Sequence, residues 1–202
     1  MQRTRKDVEV LAIDPLCHGK YRMDRYHLRY RSYAGTWSPE VTREMFDRGQ
    51  SVAILPYDPV LDQVVLIEQF RPGAFAAGDE HPWLWEIVAG VIEEGETPVE
   101  VAKRECQEEA GLQPTEVLPI GEFYVSAGAS TEYTRVFVGR VDAKGAGGLH
   151  GLVEEVEDIR VFTMPSDEAL TALAQGKIRT APAFAALTWL KGERDNLRKA
   201  WR

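Results

Sequence analysis

Short stretches of apolar, aromatic and β-branched residues dominate the first half of the chain. Val8 to Ile13, Tyr21 to Tyr33 and Glu40 to Phe46 carry this composition and predict three strands. Ser51 to Leu55 and Gln63 to Phe70 are nearly unbroken apolar runs, the pattern of strands buried on both faces. The segment between them, Pro56 to Asp62, holds two prolines and two aspartates, so the pair predicts a hairpin. Arg71 to Pro82 is rich in Gly, Ala and Pro and predicts a loop, and Trp83 to Val88 predicts another strand.

At Thr97 the pattern changes period. Thr97, Pro98, Val99 and Glu100 form a capping box with proline at the first helical position, where its missing N–H has no intrahelical partner to lose. The helix runs to about Ala110 and stops at Gly111, with Val99, Ala102, Cys106 and Ala110 as its expected buried stripe. Val117 to Ser126, Tyr133 to Val141 and Asp158 to Met164 predict further strands, and the Gly-rich Lys144 to Gly151 a mobile loop. Two helices close the chain, one from Asp167 with Ser166 as its cap, the other from Ala181 to Lys191. This order predicts an α/β (α+β) fold, a mixed sheet between helices, preceded by an N-terminal antiparallel β-region. There is no internal repeat.

Composition narrows the function. At 202 residues the chain can bury one sizeable core. A net charge of −8 disfavours nucleic-acid or anionic-membrane partners, and any phosphate substrate would need cations to neutralise it locally. No apolar run approaches the roughly 18 residues of a membrane span. Met1 to Glu9 has no apolar stretch before a cleavage site, so a cytoplasmic location is expected. Cys17 and Cys106 suit neither a disulfide framework nor a zinc site, and Cys106 reads as core filler.

The chemistry centres on the helix. Glu105 and Glu109, at spacing i, i+4, are surface neighbours beside the apolar stripe, and Glu108 lies close by. Like charges so placed repel, and a hard divalent cation relieves them by taking carboxylate oxygens. A solvated acidic face, with Arg104 as an ordinary ion-pair partner, is the competing reading.

The flanking residues decide between the two. From Gly90 the chain reads Gly-Val-Ile-Glu-Glu-Gly-Glu-Thr-Pro-Val-Glu-Val-Ala-Lys-Arg-Glu-Cys-Gln-Glu-Glu-Ala-Gly-Leu. This resembles the Nudix box at each defining place: Gly90, Glu96, Arg104, Glu105, Glu108, Glu109 and Gly111. A chance match at a given start is on the order of one in a hundred million. The resemblance implies that Glu105, Glu109 and the Ala89 carbonyl hold magnesium, with manganese as substitute. Glu108 ligates too or sits just behind the ligands as a catalytic carboxylate. Glu96 and Arg104 brace the loop on the helix. A cation so held would neutralise a diphosphate and orient a water for in-line attack.

Outside the box, nearly the whole chain is similar to bacterial ADP-ribose pyrophosphatases. Val41 to Gly49 looks like the segment before the first core strand of that family, and Ile67-Glu68-Gln69-Phe70-Arg71 like the strand ending in a substrate-contacting arginine. His150 to Val161 resembles its late acidic loop, which implies Glu155 as catalytic base and Glu157 as a further metal ligand. Four carboxylates at 154, 155, 157 and 158 after a glycine-rich stretch also suit a movable flap. Arg43, Arg71, Ser126 and Glu132 match substrate contacts. Where the family has a Ser-Pro-Gly-Gly loop, this chain has Ser126-Ala127-Gly128-Ala129, which keeps other sugar nucleotides in play.

The resemblance implies two regions, 1–50 for exchange between the subunits of a homodimer and 51–202 for the hydrolase. It also implies cleavage of ADP-ribose to AMP and ribose 5-phosphate. A GDP-mannose or general nucleoside-diphosphate-sugar pyrophosphatase is the alternative enzyme. A ligand-sensing module would be expected to lose box carboxylates or gain a DNA-binding segment, and the sequence does neither.

Overall fold

A computed structural model describes residues 3–201. Two compact units emerge, one formed by the described residues through Gln50 with Tyr124–Tyr133, the other by Ser51–Phe123 with the described residues from Thr134 onward.

The first unit contains β1 (Val8–His18), β2 (Arg22–Tyr30) and β3 (Val41–Asp47), an antiparallel sheet in that order. The strand expected over Tyr21 to Tyr33 is shorter than its composition suggests. Ser32 and Gly35 are tied into a turn in which Gly35 takes a φ of 85°, and this ends β2. Opposite charges face each other across the strands: Arg29 bonds Glu9, Arg25 bonds Glu44, and His27 lies between Asp14 and Glu40. Those two carboxylates hold the His27 imidazolium above its ordinary pKa, the Glu40 hydrogen bond first. Val8, Val10 and Ile13 pair with Tyr30, Leu28 and Tyr26, and Val10 stays 51% exposed. Tyr124–Tyr133 is stitched to the end of β3: Phe46 N–H donates to Ala129 O at 2.8 Å, and Thr131 N–H to Phe46 O at 3.0 Å.

The second unit is built on β4 (Gln50–Asp58), β5 (Gln63–Phe70), α1 (Pro72–Ala76), β6 (Trp83–Glu86), β7 (Val88–Val91) and α2 (Pro98–Ala110). It continues through β8 (Glu116–Tyr124), β9 (Tyr133–Arg140), β10 (Gly148–His150), β11 (Ile159–Pro165), α3 (Ser166–Ala174) and α4 (Ala181–Trp201). Its mixed eight-stranded sheet runs β10-β11-β5-β4-β9-β8, with β6 against β5 and β7 against β4. The β4–β5 hairpin pairs beside its turn, Tyr57 with Val64 and Asp58 with Gln63. Farther along, β5 takes β6 over Ile67 to Phe70 and β4 takes β7 over Ser51 to Ile54.

Strand alternation sorts the core into two layers. Val52, Ile54, Val65 and Ile67 pack with Val101, Ala102, Cys106 and Ala110 of α2. Leu55, Tyr57, Val64 and Leu66 pack with Ala169 of α3 and Leu187, Leu190 and Trp201 of α4. Burying a large apolar side chain contributes about 1.5–3 kcal/mol, so these layers fix α2 firmly on its face of the sheet.

Four further expectations are corrected. Val99 shares the azimuth of the α2 stripe but sits in the first turn, 40% exposed, and burial begins at Val101. Ser166 does not cap α3; it is the first helical residue, and its hydroxyl donates to Asp62 O. α4 runs past Lys191 to Trp201, because Leu197 and Trp201 continue its buried face. The loop after β5 holds a short helix, α1, begun by Pro72.

Candidate active site: buried carboxylates between α2 and the sheet

Local chemistry sets both ends of α2. Thr97 Oγ1 accepts from Glu100 N–H, and the Glu100 carboxylate accepts from Thr97 N–H at 2.9 Å, so the capping box closes. At the other end Gly111 takes a left-handed φ of 67°, and its N–H donates to Gln107 O. A Cβ on Gly111 would also lie 2.5 Å from the His150 ring, so this glycine is where the stem of the late loop docks.

β7 passes so close beneath α2 that Gly90 admits no side chain: a Cβ there would fall 1.8 Å from Glu105 Oε1. The Ala89 N–H donates to Glu109 Oε2 at 3.0 Å. Glu109 is 3% exposed, and burial pushes its carboxyl up to about 8 against the pull of the Ala89 bond, with the charges of Glu105 and Glu157 adding to the rise. Burial likewise pushes Glu105 up to about 7, opposed by Arg104 and reinforced by Glu108 and Glu157.

Arg104 holds the outer side of this cluster. Its guanidinium donates to Glu96 at 3.0 Å, to Glu105 at 2.9 Å and to Glu108 at 3.0 Å. Glu96 also accepts from Glu93 N–H, and the Arg104 hydrogen bond holds its carboxyl below the usual range. The Gly90–Glu96 loop is thereby fastened to the helix it introduces.

The late loop supplies the third side. Glu157 accepts from Leu152 N–H at 3.1 Å, and Gly151, at φ 104°, leaves no room for a Cβ beside Glu157. Gly151 N–H reaches Glu108 O at 3.4 Å, tying the loop's root to α2. Glu155 lies on an exposed turn, Val153–Glu155, followed by Val156 at a φ of 56°, a strained position for a β-branched residue. Among the described residues Glu155 makes no side-chain hydrogen bond or ion pair.

Arg71 follows β5, donates to Glu86 at 2.6 Å, and its charge reaches Glu109. The second unit therefore gathers Ala89, Gly90, Glu96, Arg104, Glu105, Glu108, Glu109, Gly111, Glu157 and Arg71. Arg43, Ser126 and Glu132 belong to the first unit. There Arg43 donates to Thr42 O, the Ser126 carbonyl accepts from Ala129 and Ser130 N–H, and Glu132 is held by Arg48. Sequence reading missed Arg48, whose partner is 84 residues away, and missed Glu86 and His150 as the groups that set Arg71 and the loop stem.

Among the described residues no three acidic, histidine or cysteine side chains already converge as a metal cage. Arg104 draws Glu105 and Glu108 to itself. The donor set nevertheless suits a hard cation: Glu105 and Glu109 are poorly hydrated oxygen donors with raised pKa values, and both feel the negative charge of Glu157.

The chain is similar to known proteins over nearly its whole length. The chain is 44% identical over 197 residues to an ADP-ribose pyrophosphatase of Escherichia coli strain K12, covering 98% of this chain and 94% of that one. A Haemophilus influenzae ADP-ribose pyrophosphatase is 37% identical over 201 residues, covering 98% and 93%. A GDP-mannose pyrophosphatase of Shigella flexneri is 35% identical over 149 residues, covering 74% and 77%. A crystal structure described as an ADP compounds hydrolase shares the fold, with a TM-score of 0.70 at 18% identity, covering 95% of this chain and 98% of that one. The NUDIX domain model matches residues 47–187, which include the whole carboxylate cluster, and the chain belongs to the NUDIX family.

Proposed function

We propose that this Nudix hydrolase cleaves the diphosphate of ADP-ribose, giving AMP and ribose 5-phosphate. The observation that carries the reading is buried Glu109 with half-buried Glu105 beside it, both within the field of Glu157, on a chain 44% identical over 98% of its length to an ADP-ribose pyrophosphatase. One water adds across the bridge: its oxygen bonds to one phosphorus, and the bridging P–O bond breaks.

Glu105, Glu109, Glu157 and the Ala89 carbonyl would hold divalent cations. A divalent cation held there, magnesium with manganese as substitute, would supply charge neutralisation for the diphosphate and polarisation of a water. Glu155 takes the proton from that water, and its exposed turn lets it approach once substrate is in place. Arg71, oriented by Glu86, offers its remaining N–H groups to phosphate oxygens. Arg104 sets the rotamers of Glu105 and Glu108, and Glu108 stands behind the ligands.

Residues 1–50 form the dimerisation region in this reading, and their partly exposed apolar strand residues support it. By the family resemblance, Arg43 would serve the partner's site, with Ser126 and Glu132 near the terminal ribose. No described helix is long and apolar enough to cross a membrane. In this reading the protein is a cytoplasmic homodimer acting on a small nucleotide.

The Ala127 turn, together with the likeness to GDP-mannose pyrophosphatases over 74% of the chain, supports a broader nucleotide-sugar range as the second reading. Purified protein with magnesium should release AMP and ribose 5-phosphate in equal amounts from ADP-ribose, and much more slowly attack GDP-mannose. Faster turnover of GDP-mannose would overturn the substrate assignment and leave the diphosphate chemistry standing.

A further inference from the structure

Gln69 is the unexplained polar group of the interior. It is 7% exposed, yet its side-chain Nε2 meets no acceptor among the described residues. A buried donor without an acceptor costs folding free energy, so the acceptor for Nε2 comes from outside the protein's own atoms, as a ligand oxygen or a water.

Its position narrows the choice. Gln69 pairs with Leu84 across β5–β6 and stands two residues beyond Ile67, which belongs to the core layer under α2. The alternation of a strand puts Gln69, and Arg71 after it in extended backbone, on this same face. Glu86, opposite Ile67, is there as well and holds Arg71. On the other flank β11 begins at Ile159, next to Arg160, which pairs with Glu68. Gln69 thus lies between β6 and the root of the loop that carries Glu157. Glu86 shares this face, and Nε2 is bonded to no carboxylate among the described residues. A ligand oxygen entering beside Arg71 would meet a neutral N–H donor on a buried strand residue.

We propose that the Gln69 carboxamide donates a hydrogen bond to a diphosphate oxygen of the bound nucleoside diphosphate sugar, beside the Arg71 guanidinium. Gln69 is then a substrate-binding residue that supplies direction where Arg71 supplies charge. This inference rests on the proposed diphosphate hydrolysis.

The test compares wild type, Gln69→Met and Gln69→Glu by calorimetric titration with a non-hydrolysable methylene analogue of ADP-ribose in magnesium, alongside thermal melts and turnover of ADP-ribose. Gln69→Met should weaken analogue binding about tenfold, with the melting point unchanged or raised because the unsatisfied donor is gone. Gln69→Glu should weaken it further, since a carboxylate repels the diphosphate. Should Gln69→Met fail to fold, Gln69→Asn, which shortens the reach and keeps the amide, should fold and show the same loss. Unchanged analogue affinity in the Met or Asn variant would overturn the inference, and a lowered melting point with it would assign the amide to a buried water. A wild type that hydrolyses ADP-ribose while Gln69→Met binds the analogue normally removes only Gln69. A wild type that neither binds the analogue nor turns over any diphosphate removes the hydrolysis reading as well.

Discussion

The proposed site draws its acidic groups from two regions held in opposite ways. On α2, Glu109 is 3% exposed and anchored by the Ala89 N–H, and Glu105 lies where β7 comes so close that Gly90 has no space for a Cβ. In the late loop, Glu155 rides an exposed turn next to a strained Val156, and only the loop's root is fastened, through Gly151, Glu157 and His150. The first region holds its carboxylates before any ligand arrives, at a desolvation cost recorded in their raised pKa values. The second leaves the Glu155 carboxylate exposed and unbonded among the described residues. A site that gathers cations benefits from the first arrangement, and a proton acceptor that acts after substrate binding benefits from the second.

The largest effect that would sharpen this contrast is Glu109→Gln. Replacing a buried carboxylate by its neutral isostere should lower kcat by about a thousandfold or more while leaving the melting point unchanged or higher. Glu155→Gln should also lower kcat, with no change in melting point, because its side chain is bonded to nothing in the described structure. Destabilisation by Glu155→Gln would break the comparison.

Gly90→Ala comes next. The new methyl must displace the Glu105 carboxylate, so kcat/KM should fall about 10–100-fold for a stability loss of only about 1–3 kcal/mol. A variant with wild-type kinetics would remove Glu105 from the cation site.

The pH dependence follows from the sign of the shifts. Glu105 and Glu109 have folded pKa values of about 7 and 8, raised from 4.5, so the folded chain binds more protons than the unfolded one between those limits. In chelator, their contribution to stability is complete below about pH 4.5 and lost as pH rises through 7 to 8. Melting curves without divalent cation should therefore fall over that window, and magnesium should flatten the fall while binding more tightly at higher pH. A melting point independent of pH from 5 to 8 would argue that the pair is not desolvated.

The smallest effect is at the junction of the two regions. Gly111→Ala forces a left-handed φ on alanine and crowds His150, which should cost about 1–2 kcal/mol in denaturant melts. Pairing it with His150→Ala should restore the part due to crowding and leave the part due to φ.

Much of this was legible from local signals. The capping box at Thr97, the glycine stop at Gly111, the β4–β5 hairpin and the spacing of Glu105, Glu108 and Glu109 each depend on residues a few positions apart, and the structure contains all of them. Misjudged features depend on where an element ends against its neighbours. Ser166 looked like a cap but lies inside the helix, bonded to Asp62, and α4 continues because Leu197 and Trp201 find a core to cover.

By itself, the sequence determined the helix, its acidic edge, the family and hence the chemistry, because those rest on short-range order written into consecutive residues. Tertiary structure alone decided that Glu109 is sealed under the sheet, that Gly90 must yield its side-chain space to Glu105, that Glu86 orients Arg71, and that Gln69 keeps an unanswered donor. The reason is physical. Burial and desolvation arise from strand register and layer packing between residues distant in the chain, and a string of residue types carries those distances only after it has folded.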